Sequence, residues 1–394
     1  MSPSTVACIV GAATSDSLGF DLGKSALTLQ AEALRNALQD AGIEKHLVDG
    51  LATSHGAPRG VDYDEFVLFA GLDVQWVTQL WSHGRWAATT VASAALAVMA
   101  GLASCVAVID TTTSARGYAR HRGRESAEGE GFRDGGGGHG EWNVHGIETP
   151  GEATALVAQR YMDKYGATTD DLGAIAVTSR AHAQRNPIAV MRDKEMTLDD
   201  YYREPVQVEP FRRADFCLSS EGATCLLVTT LERAREMRKA PIVIAGMEGI
   251  RASRDDHIMF ARPGLGVGLQ EERSLNQFKP PRIYERAGRS RDEIDGLYVY
   301  DSFTSNLWMV LERFGFCNEG EAAGYINQFG FDLTSKVPIN TNGGLLSEGF
   351  LSGYGHLVEM TRQLRGEAGE RQINAEVLQW ATPRGDSLIF TKAA

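Results

Sequence analysis

The chain has 394 residues, 43% hydrophobic and 23% charged, with a formal charge of −12. That is enough for two α/β units and a sizeable core without staples. The acidic balance excludes a broad nucleic-acid surface, which needs a clustered basic face; only Arg116, Arg120, Arg122 and Arg124 gather locally. No apolar run reaches the roughly 18 residues of a membrane span, and no basic region precedes the short apolar run near the amino terminus, so a cytoplasmic protein off the membrane is expected.

In chain order, residues 5–11 read as a buried strand, and Ala26, Leu27, Leu34 and Leu38 space themselves along one helical face that ends at Gly42. Between them, Gly19 to Ser25 looks like a phosphate loop but has three residues between its glycines where four are needed, so Ser25 is read as the helix cap. A strand over 47–53, a small-residue helix over 87–100 and a strand over 105–110 follow. Residues 111–150 lose all periodicity and read as an exposed insertion or lid, whose Gly135 to Gly138 run and arginines are candidates to clamp phosphates. Residues 152–165 read as helix, 171–179 as a strand-to-helix step continued by 181–192, and 216–229 as strand.

A second strand series starts at 241–246, and the two series echo each other. Ala41-Gly42 is followed by Val48-Asp49-Gly50-Leu51, and Ala287-Gly288 by Ile294-Asp295-Gly296-Leu297 at the same spacing. The helix ending at Gly101 with its following strand corresponds likewise to the helix ending at Gly366 with the strand at 377–380. Two copies of alternating strands and helices imply a pseudo-twofold, dividing the chain into halves 1–240, with an insertion at about 111–215, and 241–394.

Residues 337–366 pass from strand-like (337–340) through the Asn342-Gly343-Gly344 turn to a helix with Leu357, Met360 and Leu364 on one face. A loop at a strand end is where α/β folds place ligands, and Gly343 and Gly344 are expected to present unpaired amides to a developing negative charge.

This stretch resembles the carboxy-terminal signature of thiolases, particularly of the sterol-carrier-protein type, in which N-x-x-G-G-x-[LI]-[SA]-x-G-H-P-x-G-A-x-G carries an active-site histidine. Asn340, Gly343, Gly344, Leu346, Ser347, Gly349 and Gly353 keep their places, but Phe350 stands at the histidine and Leu351 at the proline. The family's H-D-C-F or N-E-A-F motif matches Tyr300-Asp301-Ser302-Phe303. Residues 179–187 are similar to its S-x-x-x-A-x-x-N-P segment, and 215–228 to its D-G-A strand, with Glu221 for the aspartate. The resemblance implies the five-layered thiolase architecture, an α/β fold of two βαβαβαββ halves. It puts Gly84 at the nucleophilic cysteine, with Ser82 and His83 beside it. Cys8, Cys105, Cys217, Cys225 and Cys317 lie elsewhere, mostly in apolar runs without CxxC spacing, and read as reduced thiols rather than a metal site.

Without a thiol and a histidine, Claisen chemistry lacks both agents. A retro-aldol cleavage of a β-hydroxyacyl-CoA needs only a base for the hydroxyl and donors for the enolate oxygen. The departures resemble the thiolase-like steroid side-chain aldolases, which carry a Tyr-Asp string and lack the cysteine. The resemblance then implies Tyr300 for proton transfer or oxyanion contact, with Tyr354, His356 and His83 as reserves and Asp301 on the oxyanion loop. It also implies a coenzyme A thioester as substrate with no tightly bound cofactor, a homodimer, and a small OB-fold zinc-ribbon partner protein. Against this stand an acetyl-CoA acyltransferase with an unusual site, and a non-catalytic subunit that binds acyl-CoA or lipid. Residue by residue, the plain alternatives are that Tyr300 is a packed aromatic and that His356 and His83 are structural.

Overall fold

The computed structural model describes residues 6–54, 61–80, 87–113, 150–249 and 281–393. Its strands are β1 (Ala7–Thr14), β2 (Gly50–Thr53), β3 (Trp76–Gln79), β4 (Cys105–Thr113), β5 (Val206–Val208), β6 (Phe211–Arg212), β7 (Glu221–Thr230), β8 (Ile242–Glu248), β9 (Gly296–Val299), β10 (Val377–Ala381) and β11 (Ser387–Lys392). The helices are α1 (Ala26–Ala41), α2 (Tyr63–Ala70), α3 (Ala87–Met99), α4 (Pro150–Tyr165), α5 (Thr169–Gln184), α6 (Leu198–Arg203), α7 (Leu231–Ala234), α8 (Ile283–Ala287), α9 (Asn306–Arg313), α10 (Ala322–Phe329), α11 (Gly344–Ser347) and α12 (Tyr354–Arg365).

Nine strands join in the order β3-β2-β4-β7-β1-β8-β11-β10-β9. Reading outward from the β1–β8 junction, β1, β7, β4 and β2 are mirrored by β8, β11, β10 and β9. The junction is short, pairing Cys8 with Val243 and Ile9 with Ile242. The parallel pairs repeat as well, Gly50 opposite Val106 in one half and Gly296 opposite Leu378 in the other.

The echoed Asp-Gly pairs have a hydrogen-bonding reason. Asp49 Oδ1 accepts from the amides of Ser104 and Cys105 at 2.7 and 2.9 Å, and Asp295 Oδ2 from those of Glu376 and Val377 at 2.8 and 3.0 Å. Each aspartate therefore ties the start of one parallel strand to the start of its neighbour.

Three apolar cores separate the layers. α1 and α2 pack with Cys8, Val10, Leu51, Ile109 and Leu227 on one outer face. α4, α5, α9 and α10 pack with Leu297, Val299, Val377 and Ile389 on the other. Between them α3 and α12 share a core with Ile9, Val108, Leu226, Tyr298, Leu378 and Trp380, and each of these helices touches strands of both halves. The Ala-rich sequence of α3 suits that enclosed place, since small side chains let strands approach closely. Ser25 caps α1 by accepting from the Thr28 amide, as its position in the sequence indicates.

Several expectations need correction. Residues 171–179 belong wholly to α5, whose Leu172, Ile175 and Ala176 bury one helical face, so the apolar run has helical and not strand period. The stretch before the glycine turn forms a single bridge, Leu297 to Ile339, instead of a strand. β2 begins only at Gly50, after a 3-10 turn at Lys45–Leu47, and β7 only at Glu221. Of the proposed insertion, residues 150–215 form α4, α5, α6 and the β5–β6 hairpin; residues 114–149 lie outside the described residues.

Candidate active site

The ends of the parallel strands converge with the start of α12. Tyr300 directly follows β9, and its amide donates to the Ala381 carbonyl at 3.0 Å, continuing the β9–β10 ladder. Its ring is buried against Gly353, where an added Cβ would approach ring atom Cδ2 at 2.9 Å, and Gly353 has φ +83°. Glycine is thus required twice there, by conformation and by space. Tyr354 follows at once and is fully buried.

The Tyr354 hydroxyl faces the other half of the molecule. Burial and the Asp110 carboxylate raise the phenol well above its ordinary range, with Ser54 and Thr90 beside it. Ser54 follows β2, Asp110 lies on β4, and the Ser54 hydroxyl donates to the Asp110 carboxylate. By the register of the two halves, Ser54 holds in the first half the place of Tyr300 in the second. Ser54, Thr90 and Asp110 were not singled out from the sequence. The available signal was their position at the carboxyl ends of parallel strands and at the start of the central helix.

The glycine turn behaves differently from expectation. Gly343 and Gly344 have φ +102° and +67°, as the tight turn requires. Their amides, however, are occupied: Gly343 donates to the Asn340 carbonyl at 2.9 Å and Gly344 to Asn342 Oδ1 at 3.3 Å. The next amide, Leu345, donates to Asp301 Oδ1 at 2.8 Å. A buried carboxylate already sits at the start of α11, so these amides are not open to a substrate oxyanion. Asp301 is a structural cap of the loop, and a Cβ on Gly344 would lie 1.9 Å from its Oδ2.

His356 is in the core. Its Nε2 lies 3.5 Å from Asp301 Oδ1, its ring tilts against Tyr298 at 6.0 Å, and it is 1% exposed. Burial pulls its pKa down to about 3 and pushes that of Asp301 up to about 7. At neutral pH the imidazole is therefore uncharged. It packs in the core beneath the loop, where burial weakens it as a proton acceptor.

Phe350 is held by its amide, which donates to Ser220 Oγ at 2.8 Å, and its ring packs against the central core. Leu351 and Ser352 follow with φ +36° and +49°. Two successive non-glycine residues in left-handed conformations mark local strain where α12 begins. The clamp around this loop comes from α5: His182 Nδ1–H donates to the Asn340 carbonyl at 3.1 Å and Arg180 Nε to Ser347 Oγ at 3.1 Å.

Every cysteine of the sequence is described, and all are free. Burial pushes the thiols of Cys8, Cys105 and Cys217 up to about 12 and raises that of Cys225 well above its ordinary value. His83, Gly84, Arg116, Arg120, Arg122 and Arg124 lie outside the described residues. Among the described residues no cluster of His, Cys, Asp and Glu is arranged to hold a metal, and no helix is long and apolar enough to cross a membrane.

The mirrored halves around two central helices define a thiolase-fold protein, and residues 280–392 match the family described as thiolase C-terminal domain-like. The chain is 32% identical over 372 residues, 91% of its length and 92% of the relative's, to the 17-hydroxy-3-oxo-4-pregnene-20-carboxyl-CoA lyase of Mycobacterium tuberculosis. It is 31% identical to the steroid side-chain-cleaving aldolase of Thermomonospora curvata, over 87% and 86% of the two chains. Among solved structures, one titled Ltp2-ChsH2(DUF35) aldolase superposes with TM-score 0.85 at 28% identity, covering 100% of this chain and 99% of that one. An acetyl-CoA acetyltransferase from Syntrophomonas wolfei, 16% identical with TM-score 0.67 over 99% and 100%, shares the fold. The chain belongs to the thiolase-like acyl-CoA lyases, the aldolase branch of the thiolase superfamily.

Proposed function

We propose that the protein cleaves the bond between Cα and Cβ of a β-hydroxyacyl-CoA by a retro-aldol reaction, its acyl group carrying a steroid or other bulky ring system. A base removes the β-hydroxyl proton, the oxygen closes to a carbonyl as the Cα–Cβ bond breaks, and the electron pair passes to the thioester enolate. Protonation of that enolate at Cα releases the shortened acyl-CoA, so no acyl-enzyme is needed. Tyr300 is the group we assign to proton transfer or to the enolate oxygen, with Tyr354 as the second phenol across Gly353. His83 stays a candidate base.

The observation that carries this reading is the pairing of lyase kinship with a site that has Phe350 where thiolases keep a histidine and no thiol poised to ionise. Acyl transfer of the thiolase kind requires a thiolate, and burial raises the thiols of Cys8, Cys105, Cys217 and Cys225 well above their ordinary range. The kinship also supports a coenzyme A thioester as substrate, with Arg116, Arg120, Arg122 and Arg124 proposed for its phosphates. A homodimer joined to a small OB-fold zinc-ribbon protein is part of the same proposal.

Incubation with β-hydroxyacyl-CoA and with β-ketoacyl-CoA, with and without a co-expressed small partner, tests it. Release of a ketone or aldehyde with a shortened acyl-CoA from the hydroxy substrate alone is expected. Thiolysis of the keto substrate would return the acyltransferase reading, and tight binding without turnover under every condition would favour the non-catalytic subunit.

A further inference from the structure

Glu348 sits between the glycine turn and Phe350, is 3% exposed, and has no role in the chemistry above. Two donors converge on its side chain. Asn186 Oδ1 accepts from the Ile188 amide at 3.3 Å, so its Nδ2 faces the loop and donates to the Asn342 carbonyl at 2.9 Å and to Glu348 Oε1 at 2.8 Å. Asn342 Oδ1 accepts from the Gly344 amide at 3.3 Å, so its Nδ2 donates to Glu348 Oε2. Both carboxamides are oriented by main-chain N–H groups, and both present donors. The group between them must accept on both oxygens, which an ionised carboxylate does and an amide does not.

The main chain of Glu348 is tied to the same clamp. Its carbonyl accepts from the Val190 amide at 2.8 Å, and the Ser347 carbonyl from Met191 at 3.1 Å. The side chain reaches the first turn of α12, where a Cβ on Gly355 would lie 2.7 Å from Oε2. Glu348 therefore spans the strained Leu351-Ser352 turn, joining what precedes it to the helix that starts at Tyr354.

We propose that Glu348, as a carboxylate, is the positioning residue of this loop: it locks Asn186 and Asn342 and so sets Gly353 against the Tyr300 ring and Tyr354 at the start of α12. The inference rests on the assignment of Tyr300 and Tyr354 to the reacting centre. The charged and titratable groups around Glu348 are Glu359 and Arg362 on α12, Arg371 in the turn after it, and Tyr298 on β9. Burial first, then Glu359, raise the Glu348 pKa to about 7. The locked form is thus complete above that value and is lost as pH falls through it. Stability runs the other way: an acid whose pKa is raised on folding contributes stability below its unfolded value, and that contribution disappears as pH rises through about 7.

The test measures kcat, KM and Tm against pH for the wild type, Glu348→Gln, Glu348→Asp and Asn186→Leu, with Tyr300→Phe alongside. Glu348→Gln is expected to lower kcat tenfold or more with little change in KM, and to lose the acid limb of kcat near pH 7. Glu348→Asp should regain part of kcat and keep the limb, and Asn186→Leu, which removes a donor from the carboxylate, should move it to higher pH. In Tm, the rise on acidification should be smaller in Glu348→Gln than in the wild type, a reading that needs no substrate. An acid limb that persists in Glu348→Gln belongs to another group, such as Asp301, and overturns the proposal. So does unchanged kcat, or an unmoved limb in Asn186→Leu should the glutamine variant fail to fold. If Tyr300→Phe keeps full turnover, the assignment of the reacting centre fails instead, and the Tm comparison still reads the ionisation of Glu348.

Discussion

Removing one hydroxyl from Tyr300 tests the proposed chemistry with the least disturbance, because the ring that fills the space beside Gly353 remains. Tyr300→Phe is expected to lower kcat on a β-hydroxyacyl-CoA about a hundredfold, on the order of 3 kcal/mol, with KM nearly unchanged, as for loss of one transition-state contact. His356→Ala serves as the contrast: it should lower Tm, since it empties a core position, and leave kcat far less affected than Tyr300→Phe does. The opposite ranking would return the base to His356. Alkylation with iodoacetamide should leave turnover intact, because burial holds four of the thiols protonated at neutral pH. Rapid inactivation with one modified cysteine would rule out a mechanism without an acyl-enzyme.

Among the elements, α11 and its preceding turn carry the tightest constraint. Gly344 combines φ +67° with an Asp301 oxygen 1.9 Å from its would-be Cβ. Alanine there has to take up a left-handed conformation, at about 1–2 kcal/mol. It also displaces the carboxylate that caps Leu345, leaving a buried amide unpaired at about 1–3 kcal/mol. Gly344→Ala should therefore lose at least about 2 kcal/mol in urea unfolding. A variant within experimental error of the wild type would show that the loop can relax around the added methyl. α12 is anchored separately, through the buried Arg371–Glu359 pair at 2.9 Å and the Gln363 bonds to Thr341 and Glu359. These hold its far end while the glycine turn sets its start.

At the scale of the whole molecule, β3 is an edge strand among the described residues, its four residues all half-buried, next in sequence to α2 with Leu68 84% and Phe69 55% exposed. An apolar edge of this kind invites pairing with another chain. A homodimer is expected in solution, and light scattering at micromolar concentration checks it; a stable monomer would count against the assembly. The mirrored order of strands places the two parallel strand ends, Tyr300 in one half and Ser54 with Asp110 in the other, on either side of α12. Neither half by itself presents both.

Local rules made much of this protein readable in the chain itself. Helical spacing marked α1, α3 and α12, and the recurrence of Asp49-Gly50 and Asp295-Gly296 announced two copies of one unit, because in each an aspartate side chain ties adjacent strand starts. The altered motif positions at Gly84, Tyr300 and Phe350 pointed away from thiol chemistry, since residue identity alone decides whether a nucleophile exists. What the chain could not disclose depends on distant segments meeting. The short apolar run at 171–179 became helix because α5 packs its face into the outer core, where strand and helix segments are otherwise alike by composition. The amides of Gly343, Gly344 and Leu345 proved closed only once Asn340, Asn342 and Asp301 were seen to fill them. The burial of His356 is a property of the folded core and not of its motif. The tertiary structure likewise brought Asn186 to Glu348 across 162 positions, because hydrogen-bond geometry is set by chain paths that no local pattern records.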